Sequence, residues 1–348
     1  MTSTSGPGPD GQLRLPLSVL DLSMVAEGQT SADALADTTA LAAEADRLGF
    51  RRFWVAEHHN MATVASTSPP VLMAHLAART ERIRIGSGGV MLPNHAPLVV
   101  AEQFAMLEAL HPDRIDLGIG RAPGTDRATA LALRGAGNRE AEDFPRNLLE
   151  VMGLLGDPRT EHGLWERFSA TPSATSGPAV MLLGSSGFSA QLAGVLGLPF
   201  AFAHHFDMGG TTEAVSIYRE YFEPSSILDQ PHTIVTASTI AATSAEEAEW
   251  LAGPARLRRY GMRRGQLLPL LPPDQAREHP DFAAATSAPS SAILGTGAQV
   301  AVGLTELAER TEASELMLHT PTHGLPERLA SLRAVAVAWA ATGTAAAA

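Results

Sequence analysis

Short apolar runs alternate along this chain with longer stretches of helical periodicity. The alternation repeats every ~30 to 36 residues, the length of one strand–helix unit of a parallel sheet. Leu15 to Leu20 reads as a strand. Thr30-x-x-Asp33 is a capping pattern that opens a helix with Leu41, Ala45 and Leu48 on one face and Gly49 as its stop. Phe53 to Ala56 reads as a buried strand, and Pro69-Pro70 starts a helix that carries Leu72 and Leu76 toward Thr80. Ile83 and Ile85 mark a third strand, which Gly86-Ser87-Gly88-Gly89 closes. Pro97 begins a helix with Val100, Phe104 and Leu107, and Ile115, Leu117 and Ile119 alternate as a fourth strand.

The rhythm pauses over residues 121–178, which hold one helix (about Glu140 to Leu155) and a Pro/Ser/Thr-rich stretch. It resumes with Val180 to Leu183, a helix from Ser189 to Leu196, and Phe200 to Ala203. Thr233 to Ile240 and Glu315 to His319 complete eight strand candidates. Between these two, residues 253–291 are rich in Pro, Gly and Arg and read as a lid-like insertion or a disordered excursion. Eight strands in strand–helix order predict an α/β fold, a single (β/α)8 barrel over residues 13–340, with insertions after strand four and before strand eight. An apolar fraction of 45% is enough for a full core.

The Ser/Gly/Pro-rich residues 1–12 have no basic start and no apolar centre, so a disordered tail is expected there rather than a signal peptide, and 341–348 form an Ala-rich tail. Ala334 to Ala348 lacks the density of large apolar residues that a membrane span needs, so a cytoplasmic protein without a membrane partner is expected. With 25 basic and 37 acidic residues the net charge is −12, which argues against nucleic acid as a partner. The chain has no cysteine, which excludes disulfides, thiolate catalysis, iron–sulfur clusters and zinc fingers.

In such a barrel, chemistry sits where the strands end. Strand two is followed by Glu57-His58-His59-Asn60: two imidazoles and a carboxylate suited to acid–base work, or a solvated turn with a capping histidine. No metal is expected, since adjacent residues leaving a strand point to opposite sides. Gly86-Ser87-Gly88-Gly89 after strand three is either a plain turn or a place where a ligand approaches the backbone. Strand four runs into Gly118-Ile119-Gly120-Arg121, whose guanidinium suits a phosphate or a surface ion pair. Strand five runs into Gly184-Ser185-Ser186-Gly187-Phe188-Ser189 and then a helix, a phosphate cradle or an unliganded N-terminus. His204-His205-Phe206-Asp207 and His319 to Gly324 are weaker candidates. The run Arg256, Arg258, Arg259, Arg263, Arg264 is a solvated helix face or a gate for an anionic ligand.

Taken together, five stretches resemble the bacterial luciferase-like flavin-dependent monooxygenases, above all their single-chain alkanal-monooxygenase-like members. They are LGFRRFWVAEHHN (48–60), RIRIGSGGVMLPNHAPLVVAEQFAMLEAL (82–110), RIDLGIGRAPGTD (114–126), MLLGSSGFSAQLAGVLGLPFAFAHHF (181–206) and ELMLHTPTHG (315–324). The resemblance implies a (β/α)8 barrel binding reduced FMN, or in some branches a deazaflavin, at its mouth. It implies that His58 is the catalytic histidine with Glu57 and His59 beside it. It also implies that Arg121 and Ser185 contact the phosphate, and that the flavin site is built from Gly86, Ser87, Gly88, Gly89, Arg121, Gly184, Ser185, Ser186, Gly187 and Phe188. A bulge in strand three with a cis peptide, Gly88–Gly89, goes with it. So do a small organic substrate (an aldehyde, ketone or secondary metabolite), O2, a separate flavin reductase and a homodimer. The chain departs from luciferase in having Gly184-Ser185 where luciferase has Glu-Ser, and in having no reactive cysteine.

Three rival readings accompany this one: a deazaflavin-dependent hydride-transferring oxidoreductase, a non-catalytic flavin-binding subunit, and an unrelated barrel hydrolase with paired carboxylates. The strand ends offer few acids beyond Glu57 and Asp207, which disfavours the hydrolase.

Overall fold

The computed structural model describes residues 15–134, 143–206 and 208–342; the expected tail 1–12, residues 343–348 of the Ala-rich tail, and Asp207 lie outside them. In chain order the elements are β1 (Leu17–Asp21), α1 (Ser31–Leu48), β2 (Arg52–Val55), α2 (Pro69–Ala77), β3 (Arg84–Met91), α3 (Pro97–Leu110), β4 (Ile115–Gly120), α4 (Arg127–Arg134), α5 (Phe144–Leu154), β5 (Ala179–Gly184) and α6 (Gly187–Val195). The second half holds β6 (Phe200–Phe202), α7 (Thr211–Glu220), β7 (Thr233–Ala242), α8 (Ala245–Arg263), α9 (Pro273–Glu278), α10 (Phe282–Ser287), β8 (Ile293–Thr296), α11 (Gly297–Thr311), β9 (Glu315–His319) and α12 (Leu325–Thr342). β1 to β7 and β9 pair in parallel, and the β6–β7 and β1–β9 pairings close them into an eight-stranded barrel with helices outside, the (β/α)8 fold.

Local chemistry matches the elements. Thr30 caps α1, its hydroxyl accepting from the Asp33 N–H at 3.2 Å while Asp33 accepts from the Thr30 N–H at 2.8 Å. Gly49 ends the helix at φ 81°, a left-handed conformation that glycine adopts without a Cβ penalty. Period-two alternation then sorts each strand. Leu17, Val19, Phe53, Val55, Ile115, Leu117 and Ile119 face outward into the shell between barrel and helices, whereas Leu20, Trp54, Met181, Ala201, Ile234 and Met317 fill the interior.

Below that apolar layer the interior is ionic. Arg52, 2% exposed, donates from Nε and Nη2 to the two carboxylate oxygens of Glu315 at 2.7 and 3.0 Å, and from Nη1 to Asp116 Oδ2 at 2.8 Å. Asp116 also accepts from Trp54 Nε1 at 2.9 Å and Arg84 Nε at 2.7 Å, and Ser18 donates to Glu315. Each charge is therefore paired and its lone pairs are used, which is what makes burial tolerable.

Four sequence expectations change here. β3 does not close at Gly86-Ser87-Gly88-Gly89 but continues to Met91, while the expected bulge, between Gly88 and Val90, and the expected cis Gly88–Gly89 peptide are both present. Gly86 consequently lies mid-strand opposite Trp54 and Asp116, not at the rim where Glu57, Arg121 and Gly184 follow their strands. A ninth strand, β8, pairs with the far half of β7 outside the closed circuit; its four residues are too few to show alternation. Residues 253–291 are largely helical. Gly253 and Pro254, which read as breakers, lie inside the 19-residue α8, and Leu257, Ala276 and Ala285 form a small core with Phe282. A Cβ on Gly253 would stand 2.9 Å from the Phe282 ring, so this glycine is a packing point.

Glu315→Gln removes one carboxylate from the buried network and should cost about 3 kcal/mol, seen as a lower urea midpoint with an unchanged slope. Despite burial, Arg52 holds the Glu315 carboxyl down to about 2, so this stability is present above about pH 4.5 and is lost as pH falls from there to about 2.

Candidate active site

The same alternation that fills the interior aims the next residues of each strand into the barrel mouth. Leu22, Ala56, Gly88, Gly120, Leu183, Ala203, Ser238 and His319 continue the inward parity, and the bulge in β3 shifts it by one so that Met91 points in as well. Two adjoining cavities result. One, of about 350 Å³, is bounded by Gly88, Met91, Gly120, Arg121, Leu183 and Ser185; the other, of about 370 Å³, by Met24, Met61, Val64, Met208, Met262 and Leu270. Leu22, His58, His205 and Phe206 belong to both walls.

The first cavity ends in an anion cradle. Arg121 leaves β4 with its guanidinium 4.2 Å over the Phe188 ring, which holds the side chain while its N–H groups stay available; among the described residues it has no carboxylate partner. Ser185 and Ser186 lead into α6, and Ser189 lies in its first turn, so three hydroxyls and the free N–H groups of a helix start converge near that cation. This donor set fits a phosphate. Gly88 lines the same cavity and packs too closely for a side chain, since a Cβ there would stand 2.9 Å from Leu20 and 3.1 Å from Trp54.

Glu57 and His58 take opposite sides of the chain, as adjacent residues must. Glu57 is 1% exposed and points away from the cavity. Its Oε1 accepts from Nε2 of His59 and of His95, both at 2.8 Å, and Oε2 accepts the Met91 N–H at 3.0 Å. These hydrogen bonds outweigh burial and hold the carboxyl below its usual range, so Glu57 is an anion that clamps β2 to the end of β3. The three groups lie close enough to hold a metal ion, yet 2.8 Å is hydrogen-bond length and each ring nitrogen spends its proton on the carboxylate.

His58 faces the cavities. Its Nδ1 lies 3.2 Å from the Gly124 carbonyl, which can only accept, so Nδ1 carries the proton and Nε2 keeps a lone pair. Burial, with the Arg258 charge nearby, holds the ring below the usual histidine range and therefore neutral at pH 7. His205 and His319 lie deeper, ring centroids 5.4 Å apart, and burial keeps both neutral, His319 down to about 4. His205 and Ser238 line the cavity, and His205 Nδ1 and Ser238 Oγ are buried without a hydrogen-bond partner among the described residues.

The structure thus brings His58, Gly88, Arg121, Gly184, Ser185 and Ser186 onto one cavity wall. Gly86 does not reach it: a Cβ there would be 2.4 Å from the Trp54 indole. Ser87 is buried and donates to the Gly118 carbonyl at 2.9 Å, Gly89 packs against that same carbonyl and Leu183, and Gly187 and Phe188 sit behind the cradle. His95 escaped sequence reasoning, since a histidine after a strand carries no signal until the barrel places it on Glu57.

Because His58, His205 and His319 are depressed below 6.5, the unfolded chain binds more protons than the native one in acid. Stability should be full above about pH 6.5 and decline toward about pH 4. Melting temperatures across this range should show a shallower slope for His319→Asn than for the parent.

Comparison with known proteins places this geometry. The family model for luciferase-like monooxygenases matches residues 16–314. A luciferase-like monooxygenase of Escherichia coli (strain K12) is 40% identical over 309 residues, covering 88% of this chain and 91% of that one. The N-acetyl-S-alkylcysteine monooxygenase of Bacillus subtilis (strain 168) is 39% identical over 236 residues, 67% of this chain and 70% of that one. The crystal structure of apo-MsnO8 superposes with TM-score 0.85 at 37% identity, covering 94% and 98% of the two chains. At 18% identity the FMN complex of the oxygenating constituent of 3,6-diketocamphane monooxygenase from Pseudomonas putida shares the fold, with TM-score 0.69 over 93% and 97%. So does an F420-dependent secondary alcohol dehydrogenase, at 15% identity and TM-score 0.58 over 93% and 99%. With the family model spanning most of the barrel and relatives of this similarity covering most of the chain, this protein belongs to the luciferase-like monooxygenase family.

Proposed function

We propose that this chain is the oxygenating component of a two-component system, taking reduced FMN from a separate reductase and using O2 to oxidise a small organic substrate, an aldehyde, ketone or comparable compound. One observation carries the reading: an anion-cradling cavity and an apolar cavity adjoin, and His58 stands in the wall they share. The FMN bound by the diketocamphane monooxygenase constituent, and the activity in the name of the Bacillus relative, support it.

The geometry supports these roles. Arg121, Ser185 and Ser186 would hold the phosphate, and the backbone of Gly88 would face the ring. When bound, the reduced flavin supplies the electrons that activate O2. His58 accepts or returns a proton at Nε2, while Met24, Met61 and Leu270 keep bulk water from the reacting atoms. Glu57, His59 and His95 position the chain that carries His58.

A homodimer is part of the proposal. On neighbouring helices α2 and α3, Val71, Val99, Met106 and Leu110 are exposed by 71, 47, 53 and 61%. A surface of this kind fits a second copy. Light scattering should give dimer mass for the parent and monomer mass for Met106→Glu.

The deciding experiment titrates the protein with oxidised FMN, reduced FMN and reduced deazaflavin, then follows oxygen consumption with a reductase present. Reduced FMN should bind and product formation should require O2; oxygen-independent turnover with reduced deazaflavin would instead mark a hydride-transferring enzyme. Arg121→Ala removes a charge-assisted contact and should weaken FMN binding about 10- to 150-fold, Ser185→Ala by roughly 0.5–1.5 kcal/mol. His58→Ala should leave FMN affinity nearly unchanged and lower turnover about 10²-fold. Parental turnover in that variant, with folding checked by circular dichroism, would sink the proton-transfer role.

A further inference from the structure

The cofactor reading leaves Arg258 of α8 without a task. With Arg259 and Arg263 it lines the apolar cavity beside Met24, Met61, Met262 and Leu270. Its Nη1 lies 3.2 Å from the Met262 sulfur and its Nη2 3.5 Å from Thr63 Oγ1, and no carboxylate pairs with it among the described residues. Other arginines on the barrel are handled differently: Arg52 meets Asp116 and Glu315, Arg328 meets Asp21, and Arg256, two residues before Arg258, meets Glu249 at 2.8 Å. Nor does any described Asp or Glu line this cavity, although the whole chain carries net charge −12. Burial destabilises the Arg258 cation, and no acid among the described residues offsets it. A guanidinium stays charged in proteins, and a thioether with one long hydroxyl contact is poor compensation for lost water.

We propose that the apolar cavity takes a substrate bearing a carboxylate on an apolar body, with Arg258 as the specificity-determining residue that pairs with it. This rests on the cavity being the substrate pocket. A carboxylate suits the planar, two-pronged guanidinium of Arg258. The methionines of this wall are unbranched and adapt to varied apolar shapes, so discrimination falls to the charge.

The test measures equilibrium binding of octanoate, octanamide and octyl phosphate by calorimetry, in the parent, Arg258→Met and Arg258→Lys. The parent should bind octanoate at least about 10-fold tighter than octanamide, the order expected of one charge-assisted contact, and tighter than octyl phosphate. Arg258→Met should abolish the preference for octanoate over octanamide and keep the parent's FMN affinity, and Arg258→Lys should retain part of the preference. Equal binding of acid and amide by the parent would overturn the proposal. A preference surviving in Arg258→Met, tighter binding of octyl phosphate, or an FMN affinity that falls with Arg258→Met as it does with Arg121→Ala would do the same. If Arg258→Met fails to fold, the parent comparison and the lysine variant still decide. The assay needs neither flavin nor O2. Lost oxygen consumption with an intact acid preference therefore sinks the cofactor reading alone, and turnover of neutral ketones without that preference sinks this inference alone.

Discussion

A guanidinium inside the barrel, that of Arg52, is bonded to carboxylates that lie 64 and 263 residues away along the chain. Burying one charge there would cost several kcal/mol; burying Arg52, Arg84, Asp116 and Glu315 together is tolerable only when β2, β3, β4 and β9 have all arrived. Closure of the sheet and satisfaction of these charges are therefore one event. The network also gives the barrel its polarity. An ionic floor lies under an apolar middle of Trp54, Met181, Ile234 and Met317, which leaves the opposite end open for ligands.

That middle layer decides what the mouth can hold. Trp54 is anchored by its N–H to Asp116 and fills the space over Gly86, so the cavity floor starts one pleat higher, at Gly88. The extra residue at the β3 bulge then turns Met91 inward and brings its N–H onto Glu57. Glu57 in turn gathers His59 and His95, so a carboxylate that lines neither cavity still holds the segment in which His58 stands.

Charge is distributed against the average of the molecule. On a strongly acidic chain, the two cavities present Arg121 and Arg258 without acidic partners among the described residues, while the histidines between them are kept neutral by burial. On the proposed reading, a neutral imidazole between two guanidiniums would pass a proton without itself competing for the anions.

Much of the fold was legible in the sequence, because period-two and period-3.6 patterns, the Thr30–Asp33 cap and the Gly49 stop are local properties that each segment carries alone. The strand-end motifs were legible for the same reason: parallel strands share a direction, so Arg121 and Ser185 had to meet. Glycine-rich and charged stretches were not legible. Gly86 and Gly88 look alike in sequence and both pack against Trp54, yet only Gly88 lines the cavity; Gly253-Pro254 looks like a break and lies within a helix. His95 and Arg258 acquire meaning only from partners present or missing in three dimensions. The sequence by itself determined which segments become strands and helices and in what order they wind, since that follows from the spacing of apolar residues. Only the tertiary structure decided which polar groups are spent on one another and which are left for a ligand, because pairing and burial depend on neighbours that the chain brings from hundreds of residues away.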